Sequence, residues 1–450
     1  MRYDRGMLLG FSVSNYQCFA DEASINLVRP SLRTQVPKAD QSWIDVTYRV
    51  AALYGANASG KSTFLRAFSR LCAAVTESAR FSSRLHNPDR SRDENLSLPT
   101  VYDVNFLVDS VRYHYTVEAH PWGISFESLH AYPRGVRRHL FTRTQTEGGV
   151  IEVKAGTGLI GPTAQVLKVT TSQDLFLAAA YRYGHTTLAP IAKGLRVGVS
   201  VTIVEHSEFA QRERIDWVMT RILEDPLYWQ AMVNALAQAA DLGIKRIEVR
   251  EQDVPPKVLE HIRSLYKSLA SQEEEGVELP EDLLSPVARA LVFVHSGPDG
   301  TEFELSLNAQ SEGTRTWLAT IGPAVDALRK GKVLVVDELD ASLHPALVAT
   351  LVGMFKDPDF NRTGAQLIFS THDTALLGNV PARQLEPPEV WFCEKDAAGC
   401  SEIVSLDEYD TRKGNNEQKR YLSGRFGAMP RVDLSRLLAH VAADNADSEG

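Results

Sequence analysis

The stretch Gly55–Thr63, G-A-N-A-S-G-K-S-T, constrains this chain more than any other. Tyr48–Tyr54 before it is a short apolar run with β-branched and aromatic members, the pattern of a buried strand. Phe64–Leu71 after it places apolar residues at helical spacing. G-x-x-x-x-G-K-S between a strand and a helix is the context of a phosphate-binding loop, which sets it apart from a Gly/Ser turn that happens to carry a lysine. Glycines let the backbone turn tightly and aim several N–H groups at one anion, and the helix N-terminus adds partial positive charge. Gly55, Asn57, Ala58, Ser59, Gly60, Lys61, Ser62 and Thr63 are the candidate cradle. Lys61 would bridge the β- and γ-phosphates of a nucleotide, and the Ser62 hydroxyl would hold Mg²⁺.

Composition narrows the class. Hydrophobic content of 44% and charged content of 23% are ordinary for a globular chain of 450 residues. A net charge of −9 argues against whole-surface attraction to nucleic acid and leaves room for a local basic groove. Cys18, Cys72, Cys393 and Cys400 are scattered, fit neither a disulfide frame nor a zinc site, and read as reduced thiols. No apolar run reaches membrane-spanning length and no secretory segment is visible, so a cytoplasmic protein without membrane attachment is expected.

Along the chain, Met7–Val13 and Ala23–Val28 read as strands, and Phe81–Leu98 as an exposed polar loop. Val101–Val108, Val111–Glu118, Ile124–Tyr132 and His139–Arg143 form an expected antiparallel meander. Arg134, Arg137, Arg138 and His139 make a basic cluster at one of its turns, either a solvated loop or an approach to ATP, nucleic acid or a partner. Helices are expected at Gln173–Tyr183, Gln211–Leu223, Pro226–Leu242 and Pro256–Leu269, with strands at Val197–Val204 and Lys245–Arg250. Ser271–Pro286 is acidic and contains proline, a linker candidate. Beyond it the pattern returns to α/β, ending in a hairpin (Glu389–Glu394, Glu402–Ser405) and a polar tail from Ala442.

Four further strings carry chemistry. In Val333–Glu338, V-L-V-V-D-E, a hydrophobic strand ends in paired carboxylates. Asp337 would hold the Mg²⁺ shell and Glu338 would orient or deprotonate the attacking water; an acidic pair capping a strand is the plainer alternative. Leu339–Pro345 (L-D-A-S-L-H-P) follows directly, with Pro345 suited to the first turn of a helix. Ile368–Asp373 (I-F-S-T-H-D) is another buried strand with His372 at its end, placed to sense a γ-phosphate or simply to pack. Ser311, Glu312 and Gly313 precede a helix, where a hydroxyl and backbone N–H groups suit an anion or an ordinary N-cap.

In this order the strings resemble the ABC-type ATPases of the SMC/RecF/OLD branch. The phosphate loop matches at Gly55–Thr63, the signature at Ser311–Gly313, Walker B at Val333–Glu338, the D-loop at Ala341–His344 (Ala341, Ser342 and His344) and the switch histidine at His372. The resemblance covers roughly Met7–Ala79 and Ala290–Glu394. It implies two heads holding two ATP molecules between them, with the signature of one completing the site of the other, and so a homodimer or higher even-numbered oligomer. Q-S-E-G-T-R and D-E-L-D depart from transporter subunits, no heptad arms are visible, and the roughly 55 residues after Glu394 are too few for an appended Toprim domain. What remains looks like stand-alone OLD-type AAA ATPases, similar to the abortive-infection and restriction-associated RloA/AbiL-like group. Tyr16 and Phe19 are the aromatic candidates for stacking on adenine.

The resulting expectation is an α/β, ABC-type P-loop head with an antiparallel β meander and an inserted helical subdomain. Its divisions are 1–160, a mostly helical 161–286, 287–395 and an extension 396–450. Glu338, Lys61 and His372 would be catalytic, with ATP and Mg²⁺ as cofactors. ATP-driven dimerisation would regulate a separate effector, a nuclease or toxin, or sense nucleic acid in antiphage defence. A RecF-like ATPase acting directly on DNA and a nucleotide-gated assembly scaffold are the competing readings.

Overall fold

A computed structural model describes residues 6–30, 36–77, 84–198, 202–204, 207–240, 243–253, 287–297, 299–379, 382–410 and 415–429, with 257, 260 and 264. The expected linker Ser271–Pro286, the tail from Ala442 and all but three residues of the expected helix Pro256–Leu269 lie outside the described residues. The chain forms two compact units. The first comprises Met1–Ile203, Asp326–Asp340 and Val348–Gly450; the second comprises Val204–Val325 and Ala341–Leu347.

The first unit opens with β1 (Gly6–Ser14), β2 (Ala23–Asn26), β3 (Val50–Tyr54) and α1 (Lys61–Glu77). The meander follows as β4 (Thr100–Val108), β5 (Val111–His120), β6 (Gly123–Tyr132), β7 (Arg138–Thr144) and β8 (Glu152–Ala155). Three helices come next, α2 (Thr163–Val169), α3 (Phe176–Arg182) and α4 (Leu188–Gly198), and then β9 (Thr202–Val204). In the second unit lie α5 (Glu208–Glu224), α6 (Pro226–Ala239), β10 (Ile244–Asp253), β11 (Val287–Ser296) and β12 (Glu302–Ser306). The 19-residue helix α7 (Glu312–Lys330) begins in the second unit and ends in the first. β13 (Val333–Val336), α8 (Pro345–Lys356), β14 (Gln366–Ser370), β15 (Val390–Lys395), β16 (Ser401–Ser405) and α9 (Glu417–Leu422) complete the order.

Two sheets build the first unit. One is antiparallel throughout, in the order β2-β1-β4-β5-β6-β7-β8. Its strands alternate buried and partly exposed residues, as in β4, where one face packs inward and the other faces water. The other runs β16-β15-β3-β14-β13, with Thr202–Ile203 of β9 at the far edge. β15, β3, β14 and β13 are parallel there, and the hairpin β15–β16 supplies the antiparallel edge. β3, β13 and β14 are buried along their whole length; β3 and β13 read as unbroken apolar runs, and β14 as an apolar run bounded by Gln366 and Ser370. α1 fills the space between the sheets: the Phe11 ring on β1 lies 5.3 Å from Phe64 and 5.0 Å from Phe68. The expected α/β class holds, a parallel sheet carrying the phosphate loop beside an antiparallel meander.

Gln366, at the start of β14, joins these sheets with a side-chain amide. Its Oε1 accepts from Leu8 N at 2.7 Å, and its Nε2 donates to Leu8 O at 2.8 Å and to Tyr48 O at 3.2 Å. Leu8 sits where β1 carries a register irregularity against β4.

The second unit pairs β10-β11-β12 as an antiparallel sheet. Ser207 caps α5 by accepting from Ala210 N at 3.2 Å, and Pro226 occupies the first turn of α6, where its missing N–H is harmless. Trp217 and Trp229 meet edge to face at 5.6 Å between those helices. Of the expected helical stretch 161–286, residues 161–203 belong to the first unit, and 204–286 to the second, where it carries β10.

Three local expectations change. The strand expected from Val197 is confined to Thr202–Val204, because α4 runs to Gly198 and buries Leu188, Ile191, Ala192 and Leu195, a helical spacing. α2 and β8 were not anticipated; both are short, and β8 has a largely exposed, weakly patterned sequence. The polar segment before Leu98 is not a free loop. It buries Leu85, Asp89 and Asn95.

Candidate nucleotide site

The phosphate loop spans Gly55–Gly60, between the end of β3 and the start of α1. A side chain at Gly55 would lie 2.3 Å from Cys393 O, and one at Gly60 would lie 2.9 Å from Cys18 Sγ. Gly60 also has φ +113°, so both space and conformation demand glycine there. Ala58 adopts φ +61°, a left-handed conformation that non-glycine residues enter at a cost. Lys61 is only 6% exposed and curls back, donating from Nζ to Gly55 O at 2.8 Å and Ala56 O at 3.0 Å. Burial lowers its pKa, opposed by Cys393 and by Asp337, Glu338 and Asp340. Ser59 Oγ is buried with no hydrogen-bond partner among the described residues.

The carboxylates arrive from β13. Asp337 Oδ1 accepts from Ser62 Oγ at 2.8 Å, which sets a hydroxyl of the loop against a strand-end carboxylate. Two hard oxygen donors side by side, a hydroxyl and a carboxylate, are a donor set that fits Mg²⁺ alongside phosphate oxygens. Glu338 follows with φ +54° and donates its N–H to Ser370 Oγ at 2.7 Å. His372, past the end of β14, is anchored through its backbone N–H to Asp340 Oδ1 at 3.1 Å. Burial lowers its pKa, helped by Lys61 and opposed by Asp340, Glu338 and Asp337.

Asn57–Thr63, Glu338 and His372 line one cavity of about 760 Å³, and Asp337 reaches it through its bond to Ser62. Its remaining walls were not foreseen: Gln17 and Cys18 after β1, Arg66 on α1 (4.0 Å from Asp337 Oδ2), Asn87–Ser91 after α1, and Lys395 with Ala398 and Gly399 at the β15–β16 turn. The 87–91 wall is built by Asn15, whose Nδ2 reaches Asn95 O, Leu98 O and Pro99 O at 2.9, 3.0 and 3.1 Å. Asn15 Oδ1 accepts from Asp89 N at 3.0 Å, and Asp89 in turn accepts from Ser91 N and Asn95 Nδ2. Asn15 sits at φ +49°, which asparagine tolerates better than most residues. An S-N-Y turn after a strand, with N-P-D-R-S downstream, is the only sequence signal of this wall.

The aromatic candidates fail. Tyr16 and Phe19 are fully buried, packed against Tyr102 at 6.0 Å and Phe64 at 6.1 Å, so neither ring can stack on a base. The basic cluster at the β6–β7 turn lies outside the cavity lining; Arg137 Nη2 meets His130 Nε2 at 3.0 Å instead. All four cysteines are free thiols.

The residues expected to form the signature and the D-loop lie in the second unit and touch each other. Ser311 Oγ accepts from Thr314 N at 3.1 Å and caps α7, while Glu312 pairs with Arg315 at 2.7 Å. A side chain on Gly313 would lie 3.0 Å from Ser342 O, so the D-loop backbone packs on the signature glycine. Ser342 has φ +58°, Ala341 precedes it, and His344 Nδ1 accepts from Ala346 N at 3.1 Å at the start of α8.

The sequence model of a family described as "AAA domain, putative AbiEii toxin, Type IV TA system" matches residues 50–149 and 213–378, well over half of the chain. This chain belongs to that AAA family. The matched segments of this AAA protein contain Gly55–Thr63, Ser311–Gly313, Val333–Glu338, Ala341–His344 and His372. No curated protein matches it. Among solved structures it is similar to an Smc head bound to the C-terminal winged-helix domain of ScpA, at 13% identity and TM-score 0.40, covering 88% of this chain and 97% of that one. It is also similar to an Smc head with an extended coiled coil bound to the C-terminal domain of ScpA from Pyrococcus furiosus, at 13% identity and TM-score 0.36, covering 89% and 96%. Among the described residues, no helix is long and apolar enough to cross a membrane.

Proposed function

We propose that this AAA protein binds and hydrolyses ATP at the cavity beside Lys61, and that ATP-dependent pairing of two copies controls a separate effector in antiphage defence. The observation that carries the ATPase reading is the convergence of Lys61, Ser62, Glu338 and His372 on one cavity, with Asp337 bonded to Ser62. Each does a different task. The loop backbone and Lys61 hold the phosphates, and Lys61 exchanges its two carbonyl partners for phosphate oxygens. Ser62 and Asp337 would hold Mg²⁺, which supplies charge neutralisation at the phosphoryl group. Glu338 orients the attacking water and takes its proton, and His372, uncharged at neutral pH, reads the γ-phosphate.

The pairing of copies rests on the sequence resemblance and on the preformed unit of Ser311–Gly313 with Ala341, Ser342 and His344, which presents a capped helix N-terminus. The OLD-type affinity rests on the sequence resemblance, and the defence role rests on that resemblance together with the family description, which names a toxin–antitoxin system. The effector would be a nuclease or toxin on another chain, and sensing of nucleic acid belongs to the same reading.

Size and copurifying partners, with and without Mg-ATP, test it. Lys61→Ala should lose nucleotide binding, and Glu338→Gln should accumulate an ATP-bound assembly with turnover down at least roughly a hundredfold. Steady hydrolysis by a species that stays monomeric in every condition would overturn the pairing. Unchanged turnover in Glu338→Gln would overturn the assignment of Glu338.

A further inference from the structure

Ser370 is the last residue of β14, fully buried, and its hydroxyl sits between the two carboxylate residues that follow β13. Glu338 N donates to Ser370 Oγ at 2.7 Å, and Ser370 Oγ lies 2.6 Å from Asp337 Oδ1. The direction of the second bond follows from the first. A backbone N–H can only donate, so Ser370 accepts from Glu338 and its own proton is left to point at Asp337. Asp337 Oδ1 thus receives two hydroxyls, Ser62 from the phosphate loop and Ser370 from β14.

The backbone continues the lacing. Leu339 N donates to Ser370 O at 2.9 Å, and His372 N donates to Asp340 at 3.1 Å. The turn from Asp337 to Asp340 is therefore held from one side by Ser370–His372. This matters most at Glu338, whose φ of +54° is a conformation that glutamate does not choose freely. Removing the Ser370 hydroxyl leaves the Glu338 N–H without its acceptor and Asp337 Oδ1 with only Ser62, while Oδ2 keeps the Arg66 guanidinium at 4.0 Å.

We propose that Ser370 is a positioning residue that ties the metal-side carboxylate of Asp337 to the backbone of Glu338, so that one hydroxyl sets both that carboxylate and the turn from which the Glu338 side chain projects. This rests on the ATPase reading of the cavity. Ser370 is fully buried and does not line the cavity, so it acts through its two neighbours. When Ser62 turns from Asp337 toward a cation, Ser370 keeps Asp337 Oδ1 fixed. The same hydroxyl keeps Glu338 in its left-handed turn.

The test is steady-state ATPase of the full chain, titrated separately in Mg²⁺ and in ATP, for wild type, Ser370→Ala, Ser370→Cys and Ser370→Thr. Binding of a fluorescent ATP analogue without Mg²⁺ and thermal unfolding are measured alongside. Ser370→Ala should lose roughly ten- to a hundredfold in kcat, as expected for a lost hydrogen bond to a charged group. Its half-saturating Mg²⁺ should rise by about threefold or more while metal-free analogue binding stays within about twofold. Ser370→Thr keeps the hydroxyl and should recover most of the loss. If the alanine variant does not fold, Ser370→Cys keeps the volume with a weaker donor and acceptor and should show the same pattern in milder form. Wild-type kcat and Mg²⁺ dependence in a folded alanine or cysteine variant would overturn the proposal while leaving the ATPase reading intact. Equal losses in the alanine and threonine variants would overturn it too, since the hydroxyl would then not be the active element. A wild-type chain that binds the analogue yet never hydrolyses ATP would overturn the ATPase reading, and the proposal with it.

Discussion

Replacing Asn15 should disable the nucleotide cavity without touching any residue that would contact phosphate. Asn15 is 5% exposed, and its amide carries two hydrogens shared among three carbonyls while its oxygen takes the Asp89 N–H. Asn15→Ala removes the equivalent of three hydrogen bonds from a buried network. At about 1 kcal/mol for each bond, with an added penalty for groups left unsatisfied, the loss is about 3–5 kcal/mol. Alanine at φ +49° adds about 1 kcal/mol that glycine would not. Asn15→Gly should therefore be about 1 kcal/mol less damaging than Asn15→Ala, and the difference isolates backbone strain from hydrogen bonding. Urea unfolding gives these values, and amide hydrogen exchange over residues 87–98 shows where the loss falls. If the wall is closed in only about a tenth of molecules, apparent nucleotide affinity falls about tenfold. A penalty under about 1 kcal/mol in Asn15→Ala, or equal penalties in the two variants, would refute the reasoning.

Two further outcomes follow from burial and charge. The His372 imidazole should titrate below its ordinary value of 6.5, since burial and then Lys61 oppose its protonation. The ring stays neutral at pH 7 and charges only as pH falls through the depressed value, and in Lys61→Ala that midpoint should move up; an NMR midpoint at or above 6.5 in wild type would contradict this. Glu127 is fully buried and accepts from Tyr115 OH at 2.8 Å, Phe176 N at 2.6 Å and Leu177 N at 2.9 Å, capping α3. Glu127→Gln sets an amide N–H against one of these donors and should cost about 1–3 kcal/mol. Burial raises the Glu127 pKa in the folded state. The folded protein therefore holds this proton more tightly, wild type gains stability from it as pH falls, and the glutamine variant's deficit should widen toward acid in urea melts.

Legibility varied with the range over which each feature is encoded. The phosphate loop, the strand carrying Asp337 and Glu338, and the meander were visible because each is a local pattern: glycine at fixed offsets, an apolar run, an alternation. The elements missed are short or set by distant partners. α4 was overlooked because its apolar residues follow helical spacing across a proline and two glycines, a composition that argues against helix when read alone. The wall at Asn87–Ser91 looked like polar loop because its organiser, Asn15, lies more than seventy residues away. Ser370 was passed over beside His372 for a related reason: a buried serine on an apolar strand carries no sequence signal until Asp337 and Glu338 are seen around it. Tyr16 and Phe19 stood at an inviting position, but aromatic identity says nothing about which side of a turn the ring takes.

Gln366 gives the two sheets of the first unit a common datum. Its amide presents to Leu8 the same acceptor and donor that a neighbouring peptide unit would, at a point where the ladder between β1 and β4 slips. A one-residue slide of β1 would turn Leu8 away, leaving the amide oxygen unmatched and the amide nitrogen with Tyr48 O alone. The position of Asn15, just past β1, is thereby indexed to β14, the strand that ends in Ser370. One wall of the cavity and the carboxylates opposite it are measured from the same side chain. Because that side chain is neutral, the reference does not loosen with salt or shift with pH.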